Sequence, residues 1–158
     1  MKYKYIAHLV GISLIIAIFY LLVVFVEKDF VLSTFIIPPA GIKLSQWLDS
    51  FKIWATLILA SAAFVSFLWY VVFQWFIKVN NRSAVSGKRV IWCLFFLMPI
   101  SLIILGFIFT RQAQGRGWIA YLFYILNGLV CYYLPTALFS PLSFKYTPVW
   151  AAKLRRWW

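Results

Sequence analysis

The chain has 158 residues, of which 65% are hydrophobic and only 11% charged, and its formal net charge is +12. Soluble globular proteins average about half apolar and about a quarter charged residues, so this composition excludes an ordinary water-soluble domain. The basic residues lie between the apolar runs rather than in a patch interleaved with glycine and aromatic residues, which argues against a nucleic-acid-binding protein. We therefore predict an all-α membrane protein in which the whole chain forms one polytopic domain.

The first element is an apolar run over residues 6–26, preceded by Lys2 and Lys4. It is longer than the roughly 7–15 apolar residues of a signal peptide, and no small-residue cleavage site precedes Glu27. We predict an uncleaved anchor that crosses the bilayer as span 1.

A segment over residues 27–52 follows span 1 and is interrupted by Pro38 and Pro39. After the two prolines, four apolar residues recur with the spacing i, i+3, i+4 and i+7, which is typical of an amphipathic helix. We predict that this short helix lies on the outer leaflet, opposite the N-terminus, then runs into the second span and positions it; a surface that docks a partner is the alternative. The four residues are Leu44, Trp47, Leu48 and Phe51.

Three further apolar runs complete a set of four spans, and each is long enough to cross about 30 Å of hydrocarbon as a helix. Pro99 lies in the middle of the third run, which predicts a hinge there. The fourth run is the shortest, and apolar sequence continues past a second hinge candidate, Pro135, which predicts a kinked continuation toward Pro141. The three runs cover residues 53–77, 90–109 and 118–134.

Residues 78–89 form a basic loop and residues 145–158 form a basic tail. In the tail, Thr147 can cap a helix that begins at Pro148, where the missing N–H is not needed. A basic, tryptophan-rich helix of this kind binds the anionic inner leaflet of a bilayer; an acidic cytoplasmic partner is the alternative. The side chains predicted to bind are Trp150, Lys153, Arg155, Arg156, Trp157 and Trp158.

Basic residues are distributed unequally between the two sides of the predicted membrane. With the N-terminus inside, ten Lys and Arg residues lie inside and five outside, and all three acidic residues lie outside. Because Lys and Arg favour the cytoplasmic side, we predict that both termini are cytoplasmic, and the asymmetry favours a bacterial inner membrane. Tryptophans near span ends, including Trp47, Trp69 and Trp92, are predicted to be interfacial anchors. The ten inside residues are Lys2, Lys4, Lys78, Arg82, Lys88, Arg89, Lys145, Lys153, Arg155 and Arg156.

The spans offer little chemistry. No Asp, Glu, Lys or Arg lies in the interior of a span, which disfavours an ion-coupled transporter, and His8 lies near the inner end of span 1. We predict no catalytic residue, cofactor or metal site, and interpret Cys93 and Cys131 as buried small residues. Small and weakly polar side chains are predicted to mediate helix packing, because an amide or hydroxyl in hydrocarbon seeks a partner. These helix-packing candidates are Asn127, Ser61, Ser66 and Gly11.

These features together predict a protein that acts by binding other membrane proteins rather than by catalysis. Our leading hypothesis is a non-catalytic accessory or scaffold subunit of a larger membrane protein complex, and analogy favours a bacterial secretion, conjugation or envelope-assembly machine. The first alternative is a stand-alone membrane binder such as an immunity protein against a pore-forming toxin. The second is an oligomeric channel or holin-like pore, which requires several copies because no span carries a polar stripe. The expected partners are the bilayer and a larger membrane protein.

Overall fold

The computed structural model describes residues 2–27, 36–38, 40–72, 85–110, 114–115, 118–140, 147–148 and 150–151. The described residues are almost entirely helical. Four helical stretches are long and apolar enough to cross a membrane, which fits a polytopic integral membrane protein. The predicted all-α class with four spans is confirmed at this level. A helix is the expected form of each apolar run, because hydrocarbon offers no hydrogen bonds and the backbone must satisfy its own.

The first two spans extend beyond the predicted apolar runs. In span 1, helix α1 covers Lys2–Leu21 and continues as a π-helical turn over Leu22–Glu27. Span 2 is helix α2, Leu44–Val71, and it is unbroken. The amphipathic residues predicted to form a short surface helix are therefore the first turns of α2. The helix begins beside a side-chain contact, in which the Lys43 N–H donates to Oε1 of Gln46 at 3.4 Å.

Span 4 is built from three consecutive helical pieces. Helix α4 covers Trp118–Ile125, a π-helical segment covers Leu126–Val130, and helix α5 covers Cys131–Phe139. The helix continues through Pro135, so the span ends at Phe139 rather than at residue 134. Proline lacks the N–H that would bond to the carbonyl four residues earlier, and the π-helical segment immediately before α5 already departs from that regular pattern.

Span 3 is helix α3, Val85–Thr110, which contains Pro99. Spans 2 and 4 contact each other in the centre of the bundle. Span 1 packs on the side formed by α2 and α5, whereas span 3 packs against α2 and the first half of span 4. In the most apolar window of each span, 44% of residues are buried in spans 2 and 4, but only 11% in span 1 and 22% in span 3. The bundle therefore has two central and two peripheral spans.

The bundle has two distinct ends. We call the end where α1 begins and α5 finishes the termini end, and the opposite end the loop end. At the loop end, Ile36–Ile37 pairs with Gln114–Gly115 in a two-residue antiparallel β-bridge. This bridge joins the connection between spans 1 and 2 to the connection between spans 3 and 4. Just before α2, Gly41 adopts a φ of +85°, a left-handed conformation that glycine accepts without steric cost.

The beginning of the tail differs from its prediction. Trp150 has a φ of +63°, which is left-handed, so a right-handed helix that begins at Pro148 cannot pass through it. The Ala151 N–H instead donates to the Pro148 carbonyl at 3.1 Å and closes a turn. This finding corrects the predicted helix start. The Trp150 side chain is 70% exposed. The remaining predicted tail residues, Lys153, Arg155, Arg156, Trp157 and Trp158, lie outside the described residues.

Candidate functional site

The termini end of the bundle buries two indole rings whose N–H groups bond to another span. Trp69 of α2 is fully buried, and its Nε1 donates to Oγ of Ser140 at 3.0 Å. Trp92 of α3 is 5% exposed, and its Nε1 donates to Oγ1 of Thr136 at 3.1 Å. Thr136 and Ser140 are one turn apart at the end of span 4. Spans 2 and 3 are therefore both hydrogen-bonded to span 4 in a region without competing water.

The two hydroxyl acceptors also act as donors. Oγ1 of Thr136 donates to the Tyr132 carbonyl at 2.8 Å, and Oγ of Ser140 donates to the Thr136 carbonyl. A hydroxyl has one proton and two lone pairs, so each can accept from an indole while donating to a carbonyl. Tyr132 returns to α3, because its Oη donates to the Trp92 carbonyl at 2.9 Å. We call these five residues the termini cluster, namely Trp69, Trp92, Tyr132, Thr136 and Ser140.

Span 1 joins the same end through His8 and Gly11. The His8 Nδ1 lies 3.2 Å from Oη of Tyr70 in α2, and its ring contacts the Phe139 ring with centroids 5.8 Å apart. A Cβ added at Gly11 would clash with Cζ of Phe139. Gly11 therefore lets an aromatic ring from α5 rest on the backbone of α1, which is how a small residue permits close helix packing.

The other helix-packing candidates lie in the interior of the bundle. Ser61 and Ser66 of α2 are buried, but their hydroxyls donate to carbonyls of their own helix, each at 2.7 Å. Their protons thus satisfy α2 itself rather than a neighbouring span. Asn127 is fully buried in the π-helical segment of span 4.

Two glycines that the sequence reasoning missed bring spans 3 and 4 together. A Cβ at Gly128 would lie 2.5 Å from Cδ1 of Ile103, and one at Gly106 would lie 3.1 Å from Cε2 of Tyr124. Glycine within an apolar span is itself the available signal, because it lets a neighbouring side chain approach the helix axis.

The loop end is packed with aromatic rings. Trp47 is 4% exposed and stacks on Phe51 with centroids 6.1 Å apart, and Phe51 stacks on Tyr124 at 5.4 Å. Nε1 of Trp47 has no hydrogen-bond partner among the residues that the structure describes. We call Trp47, Phe51 and Tyr124 the loop cluster. Trp47, Trp69 and Trp92, the predicted interfacial anchors, are thus buried inside the protein.

Prolines and cysteines within the spans show mixed agreement with their predictions. Pro99 and Pro135 are buried, and each lies inside a helix that continues on both sides. Their action as hinges stays a prediction.

Cys131 is buried, but Cys93 is exposed on the surface of the bundle, so the interpretation of Cys93 as a buried residue was wrong. Within the described part of the chain, no group of three or more His, Cys, Asp or Glu side chains could hold a metal ion.

An open groove of about 480 Å³ lies between α1 and α2. Small side chains form much of its walls, including Ala17 on α1 and Ala60 and Ala63 on α2. None of the described residues that line it carries a charged side chain. Spans 1 and 2 therefore separate here, whereas His8 and Tyr70 join them at the termini end.

In the described residues, the polar and small side chains inside the bundle serve to pack the helices against one another. Hydroxyl and indole donors of the termini cluster are used between or within helices, and small residues mark the closest approaches. The sequence matches no protein-family model, and no curated protein or solved structure is significantly similar to it.

Proposed function

We propose that this chain is a non-catalytic accessory or scaffold subunit of a larger membrane protein complex, with a bacterial secretion, conjugation or envelope-assembly machine as its setting. The observation that carries this proposal is the difference in burial between the spans. Spans 2 and 4 form a core, while in spans 1 and 3 only 11% and 22% of the residues in the most apolar window are buried. Exposed residues of this kind include Val10, Leu14 and Ile18 on α1 and Leu94, Leu97 and Ile104 on α3.

The core supports the proposal because it does not depend on those outer surfaces. The hydrogen bonds of the termini cluster join spans 2, 3 and 4, and the contact between Gly11 and Phe139 joins span 1 to span 4. In hydrocarbon, helices associate through van der Waals packing and specific hydrogen bonds rather than through the hydrophobic effect. The outward faces of α1 and α3 can therefore contact other membrane proteins without a change in the bundle.

The test is purification of the tagged chain from its native host in mild detergent, followed by mass spectrometry and sizing of the complex. We expect larger membrane proteins at fixed stoichiometry. Two variants locate the contact, Leu14→Trp with Ile18→Trp on α1 and Leu97→Trp with Ile104→Trp on α3, and each serves as the control for the other. One pair should release the partners while the chain stays folded.

Other results of the same purification would overturn the proposal. A lone monomer from native membranes would remove the subunit role. A self-contained oligomer would favour the channel or holin-like pore, which liposome flux then tests. Protection of cells against a pore-forming toxin, without any co-purifying partner, would favour the immunity protein.

We further propose that both termini are cytoplasmic and that the membrane is the bacterial inner membrane. The excess of basic residues near the termini end supports this orientation. Alkaline phosphatase is active only outside the cytoplasm, and green fluorescent protein fluoresces only inside it when exported as an unfolded chain. We expect fluorescence from a fusion after Trp158 and phosphatase activity from an insertion after Gln114. The reverse pattern would contradict the orientation.

A further inference from the structure

The groove between α1 and α2 is a local separation of two helices that meet above and below it. On α1 it extends from Ser13 to Tyr20. Ile12 and Val23, just beyond its two ends, are almost fully buried at 1% exposure each. The residues between Ile12 and Val23 are all at least partly exposed. The groove is therefore open to the side of the bundle and closed toward both of its ends.

The groove is lined mainly by apolar side chains, and several of them are small. Ala17, Ala60 and Ala63 leave space that larger side chains would fill. The Ser13 hydroxyl donates to the Leu9 carbonyl of its own helix at 2.9 Å, so its proton does not need a hydrogen-bond acceptor on a bound molecule. A volume of about 480 Å³ falls within the range of sites that hold small ligands. An elongated hydrocarbon matches both the shape and the chemistry.

A cationic residue lies one helical turn beyond the groove, on its loop-end side. Lys52 precedes Thr56, Ala60 and Ala63 on α2 with the spacing i, i+4, i+8 and i+11, which places them on one face of the helix. Lys52 is half-buried. Lysines near the end of a membrane helix keep the aliphatic stem in apolar surroundings and extend the ammonium group toward the headgroups. Two anions lie at that depth, the exposed Asp49 carboxylate three residues earlier on α2 and the phosphate of a lipid.

We propose that the groove between α1 and α2 binds one acyl chain of an anionic phospholipid, whose phosphate lies near the Lys52 ammonium group. A partner helix fits less well, because a helix with its side chains is about 10 Å across. It would have to force apart two helices that contact each other at His8 and Tyr70 on one side of the groove and near Val23 on the other. An acyl chain enters between them without moving either. This inference does not depend on the proposed function.

The experiment uses the full chain in nanodiscs of phosphatidylethanolamine and a phosphatidylglycerol that carries a diazirine halfway along one acyl chain. After illumination, mass spectrometry identifies the labelled peptides. We expect label concentrated on residues 13–20 and 56–63, well above the label on the exposed face of α3. Ala60→Phe fills the groove and should reduce that label several-fold. Ala7→Phe, an exposed position of α1 outside the groove, is the matched control and should leave it unchanged.

The headgroup is tested with the same diazirine chain on phosphatidylcholine. The wild-type chain should take more label from the phosphatidylglycerol probe, and Lys52→Gln should abolish that preference. Lys43→Gln removes an equal charge from an exposed position outside the groove and should preserve it. If Ala60→Phe does not fold, Ala17→Phe fills the groove from its other wall.

Three results would overturn the proposal. Label spread equally over α1, α2 and α3 would indicate annular lipid only. Groove label that neither filling variant reduces would place the lipid elsewhere. A photoreactive residue in place of Ala63 that cross-links to a protein in native membranes would make the occupant a partner helix.

Discussion

Both ends of the bundle bury tryptophan, but they do so by different means. At the termini end, Trp69 and Trp92 donate to hydroxyls on span 4. At the loop end, Trp47 stacks on Phe51, and its N–H has no partner among the described residues. A hydrogen bond fixes the position and rotation of a ring, whereas stacking requires mainly area. The termini end should therefore be sensitive to the chemistry of its side chains, and the loop end mainly to their volume.

The largest effect should follow removal of both hydroxyl acceptors from the termini cluster. Thr136→Val with Ser140→Ala keeps most of the volume but removes the two hydroxyls that accept from the buried indole N–H groups of Trp69 and Trp92. A buried donor without a partner costs about 1–3 kcal/mol, so we expect a loss of about 2–4 kcal/mol. SDS-induced unfolding in mixed micelles, followed by circular dichroism, measures it.

The control for the double variant is Ser101→Ala. The Ser101 hydroxyl also bonds to its own helix, at 2.8 Å from the Met98 carbonyl, but it is exposed and serves no indole. It should change the free energy of unfolding by less than about 0.5 kcal/mol. An equally small effect of the double variant would mean that the termini end, like the loop end, depends on volume alone.

An intermediate effect is expected where span 1 meets the termini end. Gly11→Ala places a Cβ against the Phe139 ring, and crowding of a packed core costs about 1–3 kcal/mol. Phe139→Leu should reduce the cost of Gly11→Ala in the double variant, because the smaller side chain makes room. Unfolding of the four proteins gives the coupling energy between the two positions. Additive effects would show that the two residues do not contact each other.

The smallest effect compares the two ends directly with the same substitution. Trp92→Phe removes an indole N–H that bonds to Thr136, whereas Trp47→Phe removes one with no described partner. Both changes lose a similar volume. We expect Trp92→Phe to be more destabilising by about 1 kcal/mol, the usual net value of one hydrogen bond. Equal stabilities in the unfolding assay would remove the distinction between the ends.

The location of the spans could be predicted from the sequence because an apolar run of bilayer length has essentially one solution in hydrocarbon. Where the helices end is less constrained. The helix of α5 passes through Pro135, because a single missing hydrogen bond does not end a helix packed between neighbours. Similarly, α2 is unbroken from Leu44 onward, and three of its four predicted amphipathic residues, Trp47, Leu48 and Phe51, are buried in the bundle.

The environment of single side chains could not be predicted in the same way. A tryptophan near a span end suits a membrane interface, yet the same position suits a buried indole if an acceptor lies opposite. The acceptor of Trp92 is Thr136, which lies in another span and is identified only by the packing. Cys93 next to it is exposed for the same reason, since neighbouring helix positions face different directions. The groove between α1 and α2 likewise depends on how two distant segments meet.

The contact between Gly11 and Phe139 has a consequence for the biosynthesis of the protein. A ribosome delivers α1 to the membrane before α5. Until α5 is inserted, the Phe139 ring is absent from the surface of α1 at Gly11, and α1 packs against α2 and lipid. Span 1 therefore gains its contact with Phe139 only after α5 has been inserted. In a chain truncated before Phe139, span 1 would lack this contact, and we expect membrane proteases to degrade that chain faster.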